Sequence, residues 1–82
     1  MDYPVGWEIK EGRLCRVFVF KDFVEAVAFI DAIVPLAEKA QHHPDIALFS
    51  YNKVRLSLTT HDAGNSITEK DISLARQIDL LV

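Results

Sequence analysis

One segment, Asp22 to Ala40, constrains the fold more than any other part of this 82-residue chain. Asp22 is a good helix N-cap and Glu25 follows three residues later, a spacing that is typical of a helix start. At about 100° per residue, the apolar side chains of the predicted helix spread over an arc of about 180°. They are Phe23, Ala26, Val27, Phe29, Ile30, Ile33, Val34, Leu36 and Ala37. Because one sheet cannot cover so wide an arc, the helix needs a second partner.

The chain is short for its apolar content. Its residues are 50% hydrophobic, whereas a domain of this size buries only about 60–65% of its unfolded surface. We expect Ile30 to centre the stripe that faces the sheet, with Phe29 and Leu36 at the margin of that stripe. A homodimer or homotetramer is the predicted solution for the remaining apolar surface.

Two pairs of strand-like segments flank the helix. The first pair is a short piece around Trp7 to Ile9 and the run Arg13 to Phe20; the second is Ile46 to Tyr51 and Val54 to Thr60. A second helix starts at Thr68. The order β-β-α-β-β-α with hairpin-length links predicts an α+β fold, in which a four-stranded antiparallel sheet carries its helices on one face. We expect a single domain over residues 1–82.

Burial is predicted from the same patterns. Both faces of the Arg13 to Phe20 strand are apolar near its end, which indicates cover on more than one side. Cys15 lies inside this run and is predicted to be a reduced, buried thiol. In the last helix we expect Ile72, Ala75, Ile78 and Val82 to face the core, with Leu74 and Leu81 flanking them.

Charge and hydropathy exclude several classes of protein. The net charge is −3 and the pI is about 5.5, and no cluster of Lys and Arg is present to track a phosphate backbone, so a direct nucleic-acid partner is not expected. No stretch approaches 18 apolar residues and the amino terminus lacks the pattern of a signal peptide. The prediction is a cytoplasmic protein with no membrane partner.

All three histidines, His42, His43 and His61, lie in two segments that folding could bring to one end of the sheet. Imidazole can both give and take a proton near neutral pH, so clustered histidines favour acid–base chemistry. A histidine at a strand end is also commonly an ordinary surface residue, and the histidines alone leave both interpretations open.

Several motifs in order extend this cluster. His42-His43-Pro44 is followed by Tyr51-Asn52-Lys53-Val54, by Leu58 to Gly64 with the sequence LTTHDAG, and by Ile67 to Asp71 with the sequence ITEKD. In this order and spacing the chain resembles the pterin-4a-carbinolamine dehydratase family, from about Trp7 to Ile78.

The resemblance implies an enzyme that dehydrates 4a-hydroxytetrahydropterin to quinonoid dihydropterin during tetrahydrobiopterin recycling, with no metal or organic cofactor. It implies three catalytic imidazoles, those of His42, His43 and His61, and three substrate-binding residues, Glu38, Trp7 and Asp71. By this resemblance His42 and His61 form the acid–base pair and His43 orients the substrate. Asp71 is equally well explained as a helix-capping residue.

The chain departs from the family pattern at several points. Gln41 stands where vertebrate members have an aspartate, and about one extra residue lies in each of two loops, between Pro44 and Tyr51 and between His61 and Asp71. The helix that family members carry before the glycine-tryptophan pair has no counterpart in the five residues before Gly6. Contacts of the loops with the substrate and the quaternary structure are the properties that these differences affect.

Two other function classes stay open. Some members of the family bind homeodomain transcription factors as dimerisation cofactors, so the helix surface of Asp22 to Ala40 could bind a regulatory protein. A pterin-dependent hydroxylase is a further candidate partner. Alternatively, His42, His43 and His61 could be metal ligands, although adjacent histidines on an extended chain point in opposite directions and seldom bind one ion. Our prediction is that there is no metal.

Overall fold

The chain folds into one sheet and two helices in a computed structural model, which describes residues 2–82. The elements are β1 (Glu8–Lys10), β2 (Arg13–Val19), α1 (Phe23–Ala40), β3 (Asp45–Phe49), β4 (Lys53–Leu58) and α2 (Glu69–Asp79). A single 3₁₀ turn at His61–Ala63 follows β4. The predicted α+β class and the order β-β-α-β-β-α are confirmed.

The sheet has the strand order β1-β2-β4-β3, and all neighbouring strands are antiparallel. Side chains alternate between its faces, so the register places Leu14 beside Leu58 and Phe18 beside Val54 on the same face. These side chains are buried under α1 and α2. As predicted, the helices share one face of the sheet, and the histidine-bearing loops lie together at the end where β4 ends and β3 begins.

Aromatic rings fill the core at the opposite end of the sheet. The ring of Phe29 on α1 lies 4.8 Å from that of Phe18 and 4.9 Å from that of Phe20, measured between centroids. Tilted ring pairs at this separation contribute about 0.5–1.5 kcal/mol beyond their burial. They attach the first half of α1 to β2.

The predicted orientation of α1 is wrong by part of a turn. Its buried side chains are Ala26, Phe29, Ile33 and Ala37, whereas Ile30 and Leu36 are only half-buried. The two alanines lie on the same side of the helix as Ile33, and small side chains there suit close packing of a helix on a sheet. Phe29 is therefore a core residue, only 6% exposed, and not an interface residue at the margin.

The second hairpin is shorter than predicted. β3 ends at Phe49 because Ser50 and Tyr51 adopt left-handed backbone angles, with φ of 49° and 56°. Such angles at both central positions are those of a tight hairpin turn. β4 ends at Leu58, two residues before the predicted end, and Thr59 and Thr60 are buried beyond it.

Burial at three other positions also differs from the prediction. Val82 is 62% exposed because α2 ends at Asp79, so the helical period no longer applies to it. Leu74, predicted to flank the core, is buried. Cys15 is half-buried on the sheet face that lacks helices, with its Sγ 3.7 Å from Ser57 Oγ.

Within residues 2–82 neither helix has the length and apolar character that crossing a bilayer requires.

Candidate active site

The end of α1 sets the position of the first two histidines. Gln41 has a left-handed φ of 51°, its backbone N–H donates to Glu38 O, and the N–H of His42 donates to Ala37 O at 3.2 Å. This pair of bonds is the Schellman pattern, which reverses the chain as it terminates a helix. The reversal brings His42 back toward the start of α2.

His42 and Asp71 form a largely buried pair. His42 Nε2 lies 2.5 Å from Asp71 Oδ1, and their side chains are 10% and 0% exposed. Asp71 Oδ2 accepts two more hydrogen bonds, from Thr60 Oγ1 at 2.8 Å and from the backbone N–H of Thr68 at 2.9 Å. An ionised carboxylate can only accept, so the proton of the imidazole lies on Nε2.

The other ring nitrogen of His42 stays available. Nδ1 has no hydrogen-bond partner among residues 2–82, and in this part of the chain no buried side-chain nitrogen or oxygen lacks one. Nδ1 therefore reaches the surface. A histidine that is fixed through one nitrogen and open at the other is the arrangement that a general base requires.

Asp71 is at the same time the capping residue that the sequence indicated. Thr68 is the N-cap of α2, and the side chains and backbones of Thr68 and Asp71 form a reciprocal capping box. The capping interpretation of Asp71 is therefore confirmed, and the binding of substrate by this fully buried residue stays a prediction. One oxygen starts the helix and the other holds the imidazole of His42.

His61 joins this network through the residue before it. Thr60 is buried and bridges Asp71 and Thr68, with its Oγ1 2.7 Å from Thr68 Oγ1. His61 itself is exposed at the start of the 3₁₀ turn, with its Nδ1 2.7 Å from Asn65 Oδ1. Because Thr60 precedes His61 in the chain, its hydrogen bonds with Asp71 and Thr68 restrict the position of the His61 backbone relative to His42.

Glu38 and His43 form a second, exposed pair on the same side of the molecule. His43 Nε2 lies 2.6 Å from Glu38 Oε2, and the side chains are 58% and 63% exposed. Exposed ion pairs contribute about 0–1 kcal/mol to stability. The pair is thus free to exchange its contact for one with a ligand.

Trp7 does not lie with the histidines. It is 7% exposed, its ring is 6.0 Å from that of Phe18, and its Nε1–H donates to both carboxylate oxygens of Asp79 at 3.1 Å. Asp79 is about two turns, or about 12 Å, along α2 from Asp71. The structure gives Trp7 a packing role, and its role in stacking on a substrate stays a prediction.

His43 and His61 are exposed, whereas the side chain of His42 is largely buried. Two concave regions, of about 880 and 670 Å³, lie elsewhere, one on the uncovered face of the sheet and one between β2, α1 and the carboxyl terminus. Neither is lined by a histidine. Within residues 2–82 no three His, Cys, Asp or Glu side chains converge as metal ligands would.

Two members of this site were missed in the sequence. Thr60 and Asn65 hold Asp71 and His61 respectively. The sequence shows Thr60 between a strand and a histidine, but it does not show that Thr60 donates to Asp71 in the first turn of α2. Asn65 adopts a left-handed φ of 58°, which is ordinary for Asn in a loop, so its residue type alone does not mark it as a site residue.

Comparison with known protein sequences identifies one family. The family profile described as Pterin 4 alpha carbinolamine dehydratase matches residues 2–81. A relative from Thermomicrobium roseum whose name assigns it to this family is 55% identical over 73 residues, 89% of this chain and 76% of the relative. A second, from Sulfurisphaera tokodaii, is 47% identical over 77 residues, 94% of this chain and 81% of the relative.

Solved structures agree on the fold. A protein described as a transcriptional coactivator/pterin dehydratase from Brucella melitensis superposes with a TM-score of 0.84 at 37% identity, over 93% of this chain and 81% of that chain. A pterin dehydratase-like protein identified as a RuBisCO assembly factor in the alpha-carboxysome has a TM-score of 0.72 at 26% identity, over 92% and 84%. The chain belongs to the pterin-4a-carbinolamine dehydratase family.

Proposed function

We propose that this chain dehydrates 4a-hydroxytetrahydropterin to quinonoid dihydropterin by histidine acid–base catalysis. The observation that carries the proposal is the buried carboxylate of Asp71, which holds His42 by Nε2 and leaves Nδ1 open. The family of the chain supports a dehydratase. The choice of this pterin rests on the resemblance.

The reaction needs one proton delivered and one removed. The C4a–O bond breaks and the departing hydroxyl takes a proton to leave as water, while the electron pair of a ring N–H bond forms the new C=N bond and its proton goes to a base. In our assignment His42 Nδ1 takes the ring proton. The imidazolium formed then lies against the carboxylate of Asp71, which stabilises its charge.

His61, in the imidazolium form that carries a proton on both ring nitrogens, supplies the Nε2 proton to the leaving hydroxyl. Its Nδ1–H donates to the amide oxygen of Asn65 at 2.7 Å, which directs Nε2 away from that contact. An amide oxygen is a neutral acceptor, so it fixes the ring without holding the proton of Nε2. His43 follows His42 in the chain and contacts Glu38, and we assign these two residues to orient the flat, hydrogen-bonding pterin ring.

The test is the rate at which freshly generated 4a-hydroxytetrahydropterin forms the quinonoid product. His42→Ala and His61→Ala should each lower the catalysed rate by about 10²–10⁴-fold, the usual contribution of a general acid or base. Asp62→Asn changes an exposed residue of the same 3₁₀ turn and is the matched control, with a rate near that of the native protein. Near-native rates for both histidine variants would exclude this mechanism.

A second candidate function, protein association, is favoured by an exposed apolar line on α1. Phe23, Val27, Ile30 and Val34 recur at spacings of four, three and four residues, and Phe23 and Val34 are 53% and 52% exposed. This is the period of a helix that packs against another helix. We propose that the line packs against its twin in a homo-oligomer, or against a regulatory protein where one is present.

A further inference from the structure

The face of the sheet opposite α1 and α2 has no covering element among residues 2–82; we call it the open face. By the strand register it carries every second side chain of the sheet. They are Glu8, Lys10, Arg13, Cys15, Val17, Val19, Asp45, Ala47, Phe49, Lys53, Arg55 and Ser57. The sequence indicated that β2 would need cover on both sides, and this side is the one left without it.

The side chains of the open face are arranged in rows across three strands. Lys53 on β4 stands between Val19 on β2 and Phe49 on β3, and the next row places Arg55 between Val17 and Ala47. A central line of two cations is therefore flanked on both sides by apolar side chains. Val17, Val19 and Phe49 are 47%, 65% and 37% exposed.

The charge of the open face is opposite to that of the rest of the protein. It carries four basic and two acidic residues, a net charge of +2, within a chain whose net charge is −3. The remainder holds five basic and ten acidic residues. Arg13 is paired with Asp45, whereas the central cations Lys53 and Arg55 are in no ion pair with a carboxylate of residues 2–82. Arg55 lies 5.7 Å from the ring centroid of Phe49.

We propose that the open face binds an acidic amphipathic helix of another protein, one that presents two carboxylates a helical turn apart between flanking apolar residues. Side chains two apart on a strand are separated by about 6.8 Å, and side chains four apart on a helix by about 6 Å. Two carboxylates at i and i+4 therefore match Lys53 and Arg55. The apolar residues beside them cover Val17, Val19 and Phe49, the layer that a helix normally adds to a sheet.

A second copy of this chain does not offer that pattern. The acidic residues of α1 are Glu25, Asp31 and Glu38, at spacings of six and seven. Those of α2 are Glu69, Asp71 and Asp79, at spacings of two and eight. Neither helix has an acidic pair at i and i+4. A nucleic acid also fits poorly, because its phosphates require a denser array of cations than a net charge of +2.

The test uses a synthetic helical peptide of about 18 residues with Glu at i and i+4 between leucines. A matched control peptide has Lys in place of both Glu residues. Both peptides are labelled, and binding is measured by fluorescence anisotropy. The native protein should bind the Glu peptide and not the Lys peptide, and added salt should weaken the complex. Arg55→Glu should weaken binding of the Glu peptide by at least about tenfold, and Lys53→Glu with Arg55→Glu should bind the Lys peptide instead.

Lys39→Glu makes the same change of charge at an exposed position on α1 and should leave binding unchanged. Arg55→Glu should keep the dehydration rate of the native protein, since Arg55 is on the open face and His42 is held by Asp71 of α2, which packs on the opposite face. Equal losses for Lys39→Glu and Arg55→Glu would reduce the effect to net charge and overturn the proposal, as would absence of Glu-peptide binding. Displacement of the peptide by a single-stranded oligonucleotide would assign the face to nucleic acid. Self-association abolished by Arg55→Glu would assign it to a second copy.

Discussion

Replacing Asp71 by Asn changes the proton on His42 while keeping the shape of the site. The amide oxygen of Asn can take the place of Oδ2, where Thr60 and the backbone of Thr68 donate at 2.8 and 2.9 Å. Its NH₂ group then faces His42 Nε2, a donor where the carboxylate was an acceptor. The imidazole must accept at Nε2 and carry its proton on Nδ1, which removes the proposed base.

The expected loss is large in rate and small in stability. A wrong tautomer in a carboxylate–histidine pair can lower kcat by about 10⁴, so we expect a fall of about 10²–10⁴-fold. The capping hydrogen bonds of α2 persist in neutral form, and the loss of charge assistance and of one negative charge at the helix start should lower the free energy of unfolding by about 1–2 kcal/mol. Urea unfolding measures this loss of stability separately from the loss of rate.

The tautomer can be read directly from the imidazole ¹⁵N chemical shifts of His42. The native protein should show Nε2–H and the Asp71→Asn variant Nδ1–H. Glu69→Gln, an exposed residue in the same first turn, removes the same charge from the start of α2 and should change neither the tautomer nor the rate. A folded Asp71→Asn variant that carries Nδ1–H and still works at the native rate would refute the assignment of His42 as base.

Three further predictions concern the framework of the fold. Thr60→Val should lower kcat more than it raises KM, because Asp71 loses a hydrogen bond at 2.8 Å. Thr60→Ser should restore the rate. Equal rates for all three proteins would contradict a role of Thr60 in positioning Asp71. Phe29→Ala should lower the free energy of unfolding in urea by about 3–5 kcal/mol, and a cost below 1 kcal/mol would contradict its place in the core. Val34→Glu should shift sedimentation toward monomer while Val24→Glu, on another side of α1, should not; a native protein that is monomeric at tens of micromolar would contradict self-association.

The sequence determined the order of elements because strand alternation and the helix signals agree locally. It did not determine which side of α1 faces the sheet, since Phe29 and Ile30 are equally apolar, and only the structure shows that Phe29 shares the buried side with Ala26 and Ala37. The hairpin end was also missed, because Ser50 and Tyr51 are unusual residues for left-handed backbone angles.

The sequence led to candidate site residues but not to their contacts. His42, His61 and Asp71 could be named, and the resemblance supplied most of that information. The contact of His42 with Asp71 could not be foreseen, because residues 29 apart in sequence meet only through the Schellman turn after α1 and the packing of α2. Trp7 was placed near the pocket by analogy alone, and its bond to Asp79 depends on that same packing.

The double use of Asp71 bears on how related sequences should be interpreted. A descendant that has given up chemistry still needs a residue that caps α2, and selection for a stable helix start alone can retain an aspartate at this position. Its presence in a homologue is therefore a weak marker of activity. His42 caps nothing, so under the proposed mechanism a relative that has lost the reaction is free to lose that imidazole first. The presence of both His42 and Asp71 is then a better criterion for activity than Asp71 alone.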